Sequence, residues 1–277
     1  MTEYLSYQFE DSPDFVDTFD ELPLWSAPFG LLLLKHLDLK PNMTVVDLGS
    51  GAGFPLLELA ARLGPSSKCY GIDPWANANA RARKKIKNYT LSNVEVMDGS
   101  AETISLPDRS VDLIVSNLGI NNFENPALVF KECHRVLKPT GKLALTTNLN
   151  GHWREFYTVF ENTLLQLGKT AGLEALREHQ AHRGTPDSIS KLFTDNGFVP
   201  GRSVADGFEM RFLDGSAFLN HYFVKLGWLA SWKGLFPEAD WVEIFTALEE
   251  NLNTYAKAAG VLNLSVPMLF MEGSRGA

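Results

Sequence analysis

No lysine or arginine precedes Lys35, while Glu3, Glu10, Asp11, Asp14, Asp17, Asp20 and Glu21 all fall in that stretch. Such an arm repels a phosphate-rich partner. It reads either as a solvated, partly mobile leader or as a lid. Cysteine is nearly absent, with 2 in 277 residues, which excludes a disulfide framework. Cys69 and Cys133 both lie in apolar periodic segments and read as reduced core thiols. Long apolar runs are missing too. The run Leu31 to Leu34 is far short of the roughly 20 residues that cross a bilayer, so no membrane span is expected. The acidic N-terminus does not read as a signal peptide, and a cytoplasmic protein is the expectation. No repeat or low-complexity tract occurs. Apolar content of 45% and charged content of 21% fit an ordinary globular chain, and its length suffices for a full core.

What is present begins with an alternation of strand-like and helix-like segments over residues 44–148. Thr44 to Leu48, Cys69 to Ile72, Val94 to Met97, Val111 to Ser116 and Lys142 to Thr147 read as strands. Between them lie helical patterns, closed by Gly64-Pro65 after the first and by Lys138-Pro139 after the last. This rhythm predicts βαβ units and a parallel sheet covered on both faces. In such sheets ligands bind beyond the carboxyl ends of the strands, where strand order reverses. Helical patterns dominate 153–167 and 188–196. Phe208 to Phe212 and Leu264 to Met271 read as two more strands, with a segment between them too long for a bare loop. That segment is expected to be a helical insertion.

Each loop at a carboxyl end carries a candidate. After the first strand comes Asp47-Leu48-Gly49-Ser50-Gly51-Ala52-Gly53-Phe54-Pro55. A glycine turn here lets a ligand meet backbone N–H groups at the positive end of a helix. It is not the dinucleotide pattern G-x-G-x-x-G, because Gly53 comes one residue early and Phe54 stands in its place. Asp73 follows the second strand, either as a ribose ligand or as a helix N-cap. Asp98-Gly99-Ser100-Ala101-Glu102 offers short polar groups for an adenine edge. Asn117 follows the buried fourth strand and can donate and accept.

These motifs together resemble a class I S-adenosylmethionine-dependent methyltransferase, of the broad subgroup that includes quinone-biosynthesis and other small-molecule enzymes. They are "VVDLGSGAGF", "YGIDP", "DGSAETISLPDRSVDLIVSN" and "ECHRVLKPTGKLALTTN". The resemblance is strong over residues 40–150. It implies an α/β Rossmann-like fold whose seven-stranded, mostly parallel sheet has an antiparallel last strand beside the fifth, plus a helical insertion. It implies S-adenosylmethionine as cofactor. Asp47, Gly49, Ser50, Gly51 and Gly53 would serve the amino acid end, Asp73 and Pro74 the ribose, Ser100 and Ala101 the adenine, and Asn117 and Leu118 the methionine part. Many relatives have Asp-Ala where this chain has Ser100-Ala101, so the adenine contact is open between Asp98 and Ser100.

The expected organisation is an arm and lid helix over 1–40, a cofactor-binding core over 41–150, and a C-terminal part over 151–277. That last part carries strands near 207–213 and 264–271 and a substrate cap over 214–262. Methyl transfer from a sulfonium expels a neutral leaving group, so in-line positioning in a dry site supplies most of the acceleration. His152, His221 and Glu209 are weak candidates for a base, and no catalytic residue is named. The aromatic density from Phe208 to Phe245 reads mainly as core, with a remainder able to line a pocket closed by Trp25 and Phe29. Candidate acceptor contacts are therefore Trp25, Phe29, Asn121, His152 and His221, and the acceptor is expected to be small and partly hydrophobic. No metal site is expected, and the sequence does not set an oligomeric state. The basic run Arg81, Arg83, Lys84, Lys85 and Lys87 reads as a solvated helix end complementing the dipole, which leaves no nucleic-acid face. Two other classes compete: a non-catalytic cofactor-binding or interaction protein, and a nicotinamide oxidoreductase. The oxidoreductase is disfavoured by the glycine spacing and by the lack of a Tyr-x-x-x-Lys pair.

Overall fold

The computed structural model describes residues 2–20 and 24–276. Seven strands form one sheet: β1 (Thr44–Leu48), β2 (Lys68–Asp73), β3 (Val94–Asp98), β4 (Val111–Asn117), β5 (Leu137–Asn148), β6 (Phe198–Phe212) and β7 (Leu262–Arg275). Their spatial order is β3-β2-β1-β4-β5-β7-β6. Strands β1 to β5 pair in parallel, and β7 runs antiparallel to β5, with Lys142 opposite Ser274 and Asn148 opposite Met268. Strands β1 and β4 are apolar and buried almost throughout, as strands covered on both faces must be. The sheet order reverses between β1 and β4, so a crevice opens beyond Leu48 and Asn117.

The helices are α1 (Pro13–Asp20), α2 (Ser26–His36), α3 (Leu56–Leu63), α4 (Ala76–Asn88), α5 (Pro126–Val136), α6 (Arg154–Gln166), α7 (Thr170–Ala181) and α8 (Pro186–Asp195). Next come α9 (Gly215–Asn220) and α10 (Tyr222–Val224), which runs through a π-helical turn into α11 (Ala230–Lys233). The long α12 (Trp241–Ala259) is last. Helix α5 starts with Asn125 capping the Leu128 N–H and Pro126 at its first position, where the missing N–H costs nothing. The lid helix expected for 1–40 includes residues 21–23, which lie outside the described residues.

Three strands differ from expectation. Strand β5 starts at Leu137, not Lys142, because Lys138-Pro139 ends the helix yet the chain pairs at once with Val111 before a register shift. Pro139 sits in that irregular part, where a ladder N–H is not required. Strands β6 and β7 are longer than 207–213 and 264–271. Strand β6 is the sheet edge and largely exposed, so it shows no apolar alternation to read. Helix α7 escaped the sequence reading altogether. Both cysteines are free and buried, and burial pushes their thiols up, Cys69 to about 12.

The chain divides into two compact units. One comprises Asp11–Asn148, Thr185–Asp206 and the stretch from Met268 on; it contains strands β1 to β5. The other comprises the stretch up to Glu10, Leu149–Gly184 and Gly207–Pro267. The core of this second, largely helical unit is aromatic. Trp153, Phe156, Phe160, Phe218, Trp232 and Phe245 are all fully buried, and the Trp232 indole N–H donates to the Tyr157 hydroxyl at 3.2 Å. Buried indoles need such a partner. Of the ten aromatic side chains from Phe208 to Phe245, Phe218, Trp228, Trp232, Phe236 and Phe245 are buried. No helix among the described residues is long and apolar enough to cross a membrane.

Candidate active site

In the sheet-containing unit, Gly49, Gly51 and Gly53 all have positive φ, at 75°, 49° and 105°. Side chains rarely adopt this region, which is why glycine recurs at every second position. The resulting turns use the loop's own donors. The Gly49 N–H donates to the Ile72 carbonyl at 2.9 Å, that of Gly53 to the Ser50 carbonyl at 2.8 Å, and that of Gly51 to Asp73 Oδ2 at 2.8 Å. These three N–H groups therefore fold the loop and orient an acid. Phe54, where a dinucleotide loop has glycine, lays its ring against Gly30 of α2.

Asp73 Oδ1 accepts from the Trp75 N–H at 2.8 Å, so each carboxylate oxygen holds one backbone donor and keeps further acceptor capacity. The N-cap reading of Asp73 is corrected: Trp75 is the N-cap of α4 and no side chain caps that helix, so the Asp73 contact is a local turn that leaves the carboxylate at the cavity. Asp47 lies beneath the loop, fully buried. Neither of its oxygens has a hydrogen bond of full geometry among the described residues. Burial, and then the Asp73 charge, push its carboxyl up to about 8, while the Leu56 N–H offsets this slightly.

A cavity of about 620 Å³ opens at the crevice. Of the expected residues, Gly49, Asp73, Pro74, Ser100, Ala101, Asn117 and Leu118 line it. Asp47, Ser50, Gly51 and Gly53 do not. Asp98 is also outside it: Arg83 and Asn79 hold its carboxylate at 2.6 and 2.8 Å, and these hydrogen bonds lower its carboxyl from the ordinary value. Sequence reasoning missed Trp75 and the segment Asn122-Phe123-Glu124 that follows β4, while Glu102 lines the cavity together with the rest of its expected loop, Ser100 and Ala101. Leu118 has φ 66°, a left-handed conformation unusual for a branched residue, and such strain concentrates at functional sites.

The other expected contacts are spread over both units. In the sheet unit, the Trp25 and Phe29 rings are 5.3 Å apart, with Phe29 fully buried. Asn121 accepts from Thr147 Oγ1 at 2.6 Å and donates to Asn148 Oδ1 at 2.8 Å. Thr146 Oγ1 donates to Asn117 Oδ1 at 2.7 Å, and Asn117 donates to the Ser26 carbonyl at 3.2 Å, tying α2 to the end of β4. His152 and His221 belong to the helical unit. Burial holds His152 well below the usual histidine value, which keeps its ring neutral. Glu209 lies exposed on β6. No cluster of metal-ligating side chains occurs among the described residues.

The basic run on α4 is not a solvated helix end. Arg81 contacts Asp17 and Asp20 at 3.1 and 3.0 Å, Lys84 contacts Asp17 at 3.0 Å, and Lys85 contacts Asp20 at 2.6 Å. Lys85 also donates to the Ala52 carbonyl in the glycine loop at 2.7 Å. Asp11 accepts from the Trp75 indole N–H at 2.7 Å and from Asn77 at 3.0 Å. From Asp11 to Asp20 the acidic arm is thus docked along α4, not a free leader. The charges that repel phosphate find their cations inside the chain.

This sheet order, with an antiparallel β7 and a three-glycine turn closing β1, is the class I methyltransferase fold. Residues 46–145 match the methyltransferase domain family. The demethylmenaquinone methyltransferase of Geobacillus sp. (strain WCH70) is 29% identical over 176 residues, 60% of this chain and 75% of that protein. That of Lactococcus lactis subsp. lactis (strain IL1403) is 28% identical over 199 residues, 68% of this chain and 77% of that one. A solved structure of a SAM-dependent methyltransferase from Aquifex aeolicus covers 71% of this chain and 93% of its own, at 25% identity and a TM-score of 0.53. The chain is a class I S-adenosylmethionine-dependent methyltransferase of small-molecule type, and the oxidoreductase and non-catalytic readings are not favoured.

Proposed function

We propose that the cavity beyond β1, β2 and β4 holds the cofactor and that the enzyme methylates a small, partly hydrophobic acceptor. The Asp73 carboxylate carries this reading: two backbone N–H groups fix it at the cavity wall, and each oxygen keeps room for one ribose hydroxyl. A volume of about 620 Å³ suits a ligand of this size. Ser100 and Ala101, with Glu102 beside them, stand where an adenine edge would lie. Gly49, Asn117 and Leu118 stand toward the methionine part. Asp47 acts from below on the amino acid end, and Ser50, Gly51, Gly53 and Pro74 shape the walls.

The cofactor supplies a methyl group on a sulfonium, whose departure as a neutral thioether needs no acid. The chain's task is to orient the donor and exclude water. Within the sheet-containing unit, Trp25, Phe29 and Asn121 stand as acceptor contacts; His152 and His221, in the helical unit, are not part of this reading. The named activity of the Geobacillus and Lactococcus relatives makes an apolar ring acceptor the first class to test. Neutralisation of the α4 cations by α1 supports a reading without nucleic acid. The free, buried thiols suit a cytoplasmic setting. Dimerisation is not required by this reading.

Labelled S-adenosylmethionine incubated with a panel of quinols, phenols, amines and RNA tests the assignment. Transfer to an apolar ring compound is expected. Transfer to RNA alone, or cofactor binding unchanged in Asp73→Ala, refutes it.

A further inference from the structure

The helical unit contains a second, small cavity lined by Gly151, His152, Tyr157, His179, Gln180 and Arg183. Its volume is about 10 Å³, room for one oxygen-sized group. His152 and Tyr157 form the buried end, and His179, Gln180 and Arg183 form a half-buried rim. The wall is rich in donors. Tyr157 already accepts from Trp232 at 3.2 Å, and its own hydroxyl hydrogen has no acceptor among the described residues. Arg183 makes no ion pair with a carboxylate among the described residues. The charged and titratable neighbours acting on it and on the two histidines are Tyr157, His179, His182 and Arg183 itself. The Glu161 carboxylate, near in sequence, is held by Arg177 at 3.0 Å and Gln180 at 2.9 Å. A desolvated guanidinium facing other bases is costly unless an anion meets it. Desolvation accordingly lowers Arg183 and His179 from their ordinary values.

We propose that this cavity is an oxyanion-binding site, in which Arg183, the Tyr157 hydroxyl and the imidazoles of His152 and His179 receive one oxygen of a carboxylate or phosphate group. The guanidinium supplies charge and paired donors, and the hydroxyl and imidazoles supply directed N–H and O–H groups. The remaining atoms of the anion lie on the rim beside Gln180 and Gly151. The site is independent of the methyl-transfer reading, since no residue in it belongs to the cofactor cavity.

Calorimetric titration of the full chain with sodium phosphate, and separately with sodium acetate, in a low-chloride buffer tests it. At least one anion is expected to give a saturable single-site isotherm. Affinity should fall by about tenfold or more in Arg183→Gln and partly return in Arg183→Lys. Response to acetate alone assigns a carboxylate, and to phosphate alone a phosphate. In the same buffer without added anion, Arg183→Gln should melt at the wild-type temperature or above it, because a desolvated cation without an acid has been removed. No saturable heat from either anion, equal affinity in Arg183→Gln, or a lower melting temperature for that variant overturns the proposal.

Discussion

Replacing Asp47 by Asn should stabilise the cofactor-free enzyme at pH 8 and change it little near pH 4. The side chain is fully buried, and its carboxyl is pushed up to about 8 from an ordinary 3.8. Between those values the folded protein holds a proton that the unfolded chain releases. Native stability therefore declines as pH rises from about 4 to about 8, and then levels off. The full displacement corresponds to on the order of 5 kcal/mol. Relaxation and water entry around a buried carboxylate cut the expected difference to about 2–3 kcal/mol. For a chain of this size that is a rise of roughly 5 °C in melting temperature. Urea unfolding of both proteins at pH 5, 6, 7 and 8 measures it. A stability difference that does not widen with pH refutes the idea that Asp47 is neutral in the fold. Under the proposed cofactor placement, the ligand's ammonium near Asp47 reverses the bias. Wild-type binding at pH 7 should then release a proton, detected as a dependence of calorimetric heat on buffer ionisation enthalpy, and Asp47→Asn should abolish that release while binding more weakly.

Other perturbations follow from the same geometry. Asp73→Ala strands the N–H groups of Gly51 and Trp75, so it should cost about 1–3 kcal/mol of stability and lower cofactor affinity by at least about tenfold, both readable by calorimetry. Lys85→Asp should loosen α1 from α4 and raise the cofactor Kd through the lost Ala52 contact; adding Asp20→Lys should recover part of the stability but not the Ala52 contact. Trp232→Ala should cost about 3–5 kcal/mol in denaturant melts, because a fully buried indole leaves a cavity and the Tyr157 hydroxyl loses its donor.

Much of the site was legible along the chain because it is built from loops at strand ends. A strand written as Val45-Val46-Asp47-Leu48, a glycine turn, and Asp73 closing the next strand occupy fixed places once the sheet is parallel. Which of Asp98 and Ser100 lies at the cavity was not legible. It turns on Arg83 and Asn79, which reach Asp98 from one face of α4 and leave Ser100 at the cavity. The role of the basic run was equally hidden. Periodicity places Arg81, Lys84 and Lys85 on a helix, but says nothing of the acidic helix laid against them.

The sequence by itself determined the parallel α/β fold class and, through the resemblance of its loop motifs to a known family, the methyl donor. The fold class depends on local rules, namely apolar periodicity and the right-handedness of βαβ crossovers. Tertiary structure alone decided where the glycine loop's donors go, which acid faces the cavity and what neutralises α4. It also gathered Tyr157, His179 and Arg183 around one small cavity. Each of these is a meeting of side chains and backbone from separate segments, and partner choice at that range is set by packing and desolvation, which leave no periodic trace in the chain.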